Sequence, residues 1–87
     1  MKVAYHRQFL KHFQKRISPH PKLVVKFEEK LKLRLINPKE ASLKDHRLLG
    51  EKSEFRSFSI TGDIRVVYKI EKDTLRLYDI GTHNQVY

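Results

Sequence analysis

Alternating apolar residues in the last third of the chain constrain the fold more than any other feature of the sequence. Within residues 55–87, core-forming side chains recur at every second position of three short runs. These positions are Phe58 and Ile60, then Ile64, Val66, Tyr68 and Ile70, then Leu75 and Leu77. A period of two is typical of strands that bury one face. Short polar connections at 61–63 and 71–73 favour hairpins. We therefore predict a three-stranded antiparallel meander with one apolar face.

The opposite face of this meander carries cationic side chains and is predicted to be open. On the middle strand Arg65, Val67 and Lys69 alternate out of phase with the apolar set, and His83 follows the last strand closely. A sheet that buries one side and presents cations beside an imidazole on the other is typical of a surface for a phosphate-bearing partner.

The N-terminal half predicts a short strand followed by two helices. Residues 1–6 form the strand, which we expect at a sheet edge. The first helix, from Arg7, has an apolar stripe of Phe9, Leu10, Phe13 and Ile17. The second begins at Pro21, runs to about Ile36, and repeats Leu23, Phe27, Leu31 and Leu35 at intervals of four. These spacings are those of amphipathic helices, and the prolines between them predict a hairpin.

A connector without clear periodicity, residues 39–54, joins the helices to the meander, and we expect Leu43, Leu48 and Leu49 to anchor it to the core. The element order β-α-α-β-β-β predicts an α+β fold in which a helical hairpin packs on one face of a four-stranded antiparallel sheet. With 87 residues the chain is expected to form one domain, 1–87.

The composition narrows the classes of function. Nineteen Lys and Arg against ten Asp and Glu give a net charge of +9, which is typical of proteins that bind a polyanion or an acidic partner. The chain has no cysteine, so disulfides, thiolate metal sites and cysteine nucleophiles are excluded, and a reducing cytoplasm is the expected location. No apolar run approaches the roughly 20 residues that span a bilayer. We expect neither membrane insertion nor a metal or other cofactor.

Three segments carry a resemblance to a known family. KDHRLLG at 44–50, FRSFSITGDIRVVYKI at 55–70 and GTHNQVY at 81–87 resemble the RelE/ParE superfamily of bacterial toxins, and most of all its YafQ-type ribosome-dependent mRNA endonucleases. Length, basicity and element order agree over the whole chain. The resemblance implies a type II toxin that cleaves mRNA in the ribosomal A site, inhibits translation and is neutralised by a small acidic antitoxin.

The resemblance also assigns site residues. Family functional positions match, residue by residue, His46, Asp63, Arg65, His83 and the terminal aromatic Tyr87. Three further family positions, a histidine, a tryptophan and an arginine, are occupied here by Ser59, Ile64 and Asp79. These departures leave the principal histidine pair in place.

The implied reaction is metal-free cleavage through the neighbouring 2′-hydroxyl. Imidazole can accept or donate a proton near neutral pH, so His46 is assigned as general base and His83 as general acid, although the two could be exchanged. Arg65 is assigned to the scissile phosphate, and Asp63 to orienting an imidazole. Tyr87 is expected to stack on an unpaired base. Further RNA contacts are expected from Lys44, Arg47, Arg56 and Lys69.

Two other functions remain open at this stage. A ParE-like toxin would share the fold but poison DNA gyrase without cutting RNA, and a degenerate RNA- or ribosome-binding module would lack activity. The histidine pair favours cleavage, because gyrase poisoning needs no proton shuttle. Structural explanations compete at single residues: His46 could be a solvated turn residue, and Gly62-Asp63 is ordinary hairpin chemistry.

Overall fold

The computed structural model describes residues 1–87 as a five-stranded mixed sheet with two long helices on one face. In chain order the elements are β1 (Lys2–Tyr5), α1 (Arg7–Arg16), α2 (Pro21–Ile36), β2 (His46–Arg47), β3 (Arg56–Ser59), β4 (Ile64–Glu71), β5 (Thr74–Thr82) and α3 (His83–Val86). The spatial order is β1-β5-β4-β3-β2. No helix of this fold has the length and apolar character needed to cross a bilayer.

The predicted α+β architecture is confirmed, but the sheet has five strands rather than four and is not wholly antiparallel. β1 lies at an edge, as predicted, and pairs with β5 in parallel. The helical hairpin returns the chain to the end of the sheet at which β1 finishes. The strands that follow can then reverse direction in turn, so that β5 runs in the same direction as β1. The additional strand, β2, comes from the connector and pairs with β3 through only two residues.

The helical hairpin packs on the sheet through an aromatic cluster. The rings of Phe9, Phe13 and Phe27 have centroids 5.1–5.8 Å apart. His6 caps the N-terminus of α1, its Nδ1 accepting a hydrogen bond from the Gln8 backbone amide at 3.1 Å. Most residues of the two predicted apolar stripes are buried or half-buried, as expected. Two of the assigned leucines face solvent, Leu10 and Leu35.

The helix-facing side of the meander forms the core, and most of the alternation is confirmed. Phe58, Val66 and Tyr68 are fully buried there. Ile70 was predicted on the same face but is 43% exposed, because it lies near the end of the β4–β5 hairpin, beyond the cover of the helices.

A bulge in β5 changes the phase of burial along that strand. The pairing shifts between Val67 and Tyr68, so Tyr78 is the extra residue. Leu77 is buried before the bulge and Ile80 after it, although they are three residues apart. A bulge turns the strand locally and re-aims its side chains, which a strict period of two does not describe.

The opposite face is not open, contrary to prediction. Val67 of β4, Leu48 of the connector and Val86 of α3 form a second, buried apolar cluster there. The short α3 folds back across β4 and β5 and covers the middle of this face. Leu43 and Leu48 anchor the connector as expected, whereas Leu49 is 90% exposed, because adjacent residues of an extended segment point in opposite directions.

Candidate active site

His46 is held on the sheet face opposite the long helices. It pairs with Ser57, and Ser57 pairs with Val67, so the three residues lie in one row across β2, β3 and β4. The His46 side chain is solvent-exposed, and its Nδ1 lies 2.9 Å from the Lys44 carbonyl oxygen. A carbonyl only accepts hydrogen bonds, so Nδ1 carries the proton. In the neutral ring Nε2 is then free to accept a proton, as a general base requires.

His83 begins α3, and local hydrogen bonds fix its position. The Gln85 amide donates to the Thr82 hydroxyl at 3.3 Å, while the Thr82 amide donates to Gln85 Oε1 at 2.8 Å. This reciprocal cap defines the start of a helix only four residues long. His83 itself is exposed, and its ring meets Tyr87 edge-on at a centroid distance of 4.6 Å. The imidazole is therefore both presented to solvent and backed by an aromatic ring.

Tyr87 connects the two histidines. Its hydroxyl forms a short hydrogen bond with the hydroxyl of Ser57, the strand partner of His46. Its ring contacts His83. Tyr87 thus contacts His83 directly and is linked to His46 through Ser57, on the same face of the sheet. Because the ring is half-buried and its hydroxyl is bonded within the protein, Tyr87 has a supporting role in addition to any stacking on a base.

Arg65 lies on the same face, on β4, which adjoins the strand that precedes His83 and is separated from the strand of His46 by β3. It pairs with Ser59 and Gly81, and its Nη1 is 3.5 Å from the Ser59 hydroxyl. Its Nε is buried and has no hydrogen-bond partner. None of the ion pairs in the protein includes Arg65. A half-buried guanidinium without an internal carboxylate retains its capacity to bind an external anion.

The remaining predicted residues lie at different distances from this centre. Asp63 is exposed in the β3–β4 turn, next to Ile64, which pairs with Thr82, so it lies at the same end of the sheet as His83. Lys69 forms a 3.5 Å ion pair with Glu54. Lys44 is exposed and has left-handed backbone geometry, with φ of 48°, which turns the chain into β2.

Arg56 and Arg47 are directed elsewhere. They pair with each other across β2 and β3, in register with Tyr68, on the helix-covered side of the sheet. Arg56 Nη2 lies 2.8 Å from Asp45, and its Nε lies 3.3 Å from the Tyr68 hydroxyl. Arg56 therefore belongs to an internal network. Arg47, at the exposed sheet edge, has no such internal partner.

The centre of that network is Asp45, which sequence reasoning missed. Its carboxylate is bound by Arg34 Nε at 2.7 Å, by Arg56 and by a short bond from the Tyr68 hydroxyl. The side chains of Asp45 and Arg34 are only 7% and 8% exposed. Because Asp45 immediately precedes His46, this network fixes the segment that carries the proposed base.

The buried phenol of this network should make stability fall at alkaline pH. Burial, and next the bond to Asp45, raise the pKa of Tyr68, although Arg34 opposes the change. Above the ordinary tyrosine pKa of about 10, the unfolded chain loses this proton first, so the free energy of unfolding decreases as pH rises. We expect Tyr68→Phe to flatten this decrease in urea titrations at about pH 8 and about pH 11, and parallel decreases in both proteins would contradict it.

Asp79, a departure from the family pattern, forms a second polar cluster at the β5 edge. His12 Nδ1 lies 2.6 Å from its carboxylate and Gln8 Nε2 lies 3.1 Å away, both from α1. Arg16 lies 3.5 Å from the same carboxylate and donates to the Ile80 carbonyl at 2.9 Å. The bulge at Tyr78 aims Asp79 toward α1, so the residue links the first helix to the strand that precedes His83.

Ser57 and Ser59 were also missed as contributors to the candidate site. Both are buried on the face shared by His46 and Arg65, and Ser57 bonds to Tyr87. A signal was available, because these small polar residues alternate with Phe58 and so fall on its opposite face.

Comparison with known proteins shows the family and the fold to which the chain is similar. A family model described as a bacterial toxin of type II toxin-antitoxin systems, YafQ, matches residues 1–87. The crystal structure of YafQ from E. coli superposes with a TM-score of 0.84 at 26% identity, over 99% of this chain and 97% of that one. A copper-bound mutant toxin from Helicobacter pylori superposes with a TM-score of 0.80 at 28% identity, over 100% and 99%. No curated protein matches the chain in sequence.

E. coli YafQ is also known in complex with a second protein. The E. coli DinJ-YafQ toxin-antitoxin complex superposes with a TM-score of 0.81 at 26% identity, covering 99% of this chain and 96% of its YafQ.

Proposed function

The chain belongs to the YafQ family of type II toxins, and we propose that it is a ribosome-dependent endoribonuclease that cleaves mRNA and so inhibits translation. The observation that supports this proposal is that Tyr87 contacts His83 and bonds to the strand partner of His46, on a face that also carries Arg65, which has no internal carboxylate partner. Two proton carriers and one free guanidinium are the groups that metal-free RNA cleavage needs.

In the proposed reaction the 2′-oxygen of one nucleotide attacks the adjacent phosphorus. His46 Nε2 accepts the 2′-hydroxyl proton, since Nδ1 is already engaged with the Lys44 carbonyl. The bond from phosphorus to the 5′-oxygen breaks, and His83, protonated at the outset, donates its proton to that oxygen. The products are a 2′,3′-cyclic phosphate and a free 5′-hydroxyl.

Arg65 stabilises the negative charge that develops on the phosphate during this reaction. As the 2′-oxygen attacks, the non-bridging phosphate oxygens gain charge, and a guanidinium can donate to two of them at once. The absence of an internal carboxylate partner for its guanidinium supports this role. Asp63, at the same end of the sheet as His83, would orient that imidazole, and Lys44 and Lys69 would bind the RNA backbone.

We also propose an acidic antitoxin as the natural partner. The E. coli relative forms a complex with DinJ, and the present chain has a net charge of +9. Charge of this density steers an oppositely charged partner during association. Such an antitoxin would be expected to protect cells that express the toxin.

A defined mRNA on purified ribosomes tests the proposal. We expect cleavage at discrete codon positions, seen by primer extension, only when ribosomes are present. The matched control is the same mRNA with a single 2′-deoxynucleotide at the cleaved position, which removes the nucleophile and should abolish cleavage there. Co-expression of an acidic antitoxin should restore growth.

Two results would contradict the proposal in different ways. Growth arrest with DNA damage and intact mRNA would identify a gyrase poison. No arrest and no cleavage would instead indicate a degenerate binding module, in agreement with the family positions now occupied by Ser59, Ile64 and Asp79.

A further inference from the structure

A cationic cleft of about 690 Å³ lies between the first helix and the start of α3, outside the site described above. Its basic lining comes from α1 and from the turn that follows it, and consists of Lys11, His12, Lys15, Arg16 and His20. Its remaining lining residues are neutral, and no carboxylate is among them. A concave, carboxylate-free lining of this kind favours an anionic ligand.

Four of the five basic side chains of the cleft form two pairs, one held in place by the protein and one free. Arg16 and His12 are held at the wall through Asp79, and Arg16 is held further by the Ile80 carbonyl. Lys11 and Lys15 are exposed on successive turns of α1 and take part in no ion pair. The fixed pair shapes the wall of the cleft, while the free lysines supply positive charge that nothing in the protein neutralises.

The cleft adjoins the proposed catalytic centre. Thr82 forms part of its lining and directly precedes His83. Two apolar side chains, Leu23 and Ile64, also line it and offer contact area to a ribose or a base. An RNA strand whose leaving 5′-oxygen lies at His83 would therefore continue toward this cleft.

We propose that this cleft binds the phosphodiester backbone of the RNA strand next to the cleaved linkage, with Lys11 and Lys15 as the principal phosphate contacts. The inference rests on the proposed function and deepens it, because it assigns the protein a subsite beyond the scissile phosphate. RNA is favoured over an acidic peptide because the cleft begins at Thr82, next to His83, where the RNA strand would leave the proposed catalytic centre.

Salt-dependent binding of a short RNA tests the subsite without any cleavage. The probe is a fluorescent single-stranded RNA of about nine nucleotides. At each linkage that could be cleaved, the neighbouring 2′-hydroxyl is replaced by hydrogen, so that the probe cannot react. We compare Lys11→Gln/Lys15→Gln with Lys22→Gln/Lys26→Gln, a control that removes two exposed lysines from α2. We expect the slope of log K against log salt to fall by about 1.4 in the first variant, at ~0.7 per phosphate contact, and by less than half of that in the control.

Neutral methylphosphonates placed singly along the probe then locate the contact. One or two positions should weaken binding to the wild-type and control proteins but have no effect on the Lys11→Gln/Lys15→Gln protein. Equal weakening in both variants would overturn the proposal in favour of non-specific charge. Unchanged RNA binding with weakened antitoxin binding would also overturn it, and would assign the cleft to the antitoxin. Cleavage of unmodified mRNA on ribosomes is scored separately, so the subsite can stand or fall independently of the nuclease.

Discussion

Replacing His83 by alanine is expected to lower the single-turnover rate of mRNA cleavage on the ribosome by about 10²- to 10⁴-fold, the usual contribution of a positioned general acid or base. The 5′-oxygen of RNA is a poor leaving group unless it receives a proton as its bond to phosphorus breaks. His83 is exposed at the start of α3 and makes no hydrogen bond through its ring, so the imidazole is free to give that proton to a substrate. Binding to the ribosome should change little.

The matched control is Asn84→Ala, which changes the next exposed residue of the same helix. That variant should cleave at the wild-type rate, since its side chain has no role in the cap or in the contact with Tyr87. Added imidazole should restore part of the activity of His83→Ala. If His83→Ala instead keeps more than about a tenth of the rate, less than a 1.4 kcal/mol effect, His83 is not the general acid.

The parts of the fold that sequence reasoning anticipated are those in which local pattern and tertiary environment agree. The period of two correctly predicts that Phe58, Val66 and Tyr68 are buried, because the helices cover the part of the face on which they lie. The pattern fails where a small element decides the environment. Val67 alternates with Arg65 and Lys69 in sequence, and it is buried by Leu48 of the aperiodic connector and by α3, whose four residues are too few to show a helical period.

The candidate site likewise contains residues that sequence reasoning found and residues that it missed. His46 and His83 were assigned through motifs that are contiguous in the chain. Asp45 was overlooked because its partners are 11 to 23 residues away and its own segment has no periodicity. Pairings of this kind depend on how α2, β3 and β4 come together, and single-sequence patterns carry no information about that. The same holds for Asp79, whose partners on α1 are more than 60 residues earlier.

Replacing Asp45 by alanine is expected to lower the free energy of unfolding by about 3–5 kcal/mol, the usual effect of removing one partner from a buried ion pair. The Arg34 guanidinium would stay beneath the sheet edge with its charge uncompensated, because its other contact is the Tyr68 hydroxyl. A domain of this size has about 5–15 kcal/mol in total, so the change would be a large part of its stability. Urea unfolding at neutral pH measures the change.

The matched control is Glu29→Ala, which removes an exposed carboxylate from α2 that forms no ion pair and should change stability by no more than about 0.5 kcal/mol. A second substitution, Arg34→Met in the Asp45→Ala chain, separates the two parts of the effect. It removes the stranded charge and replaces it with a flexible apolar side chain beside the Tyr68 ring, so it should recover a large part of the lost stability. If the double variant is no more stable than Asp45→Ala alone, the loss comes from the loop that carries His46 rather than from a buried unpaired guanidinium.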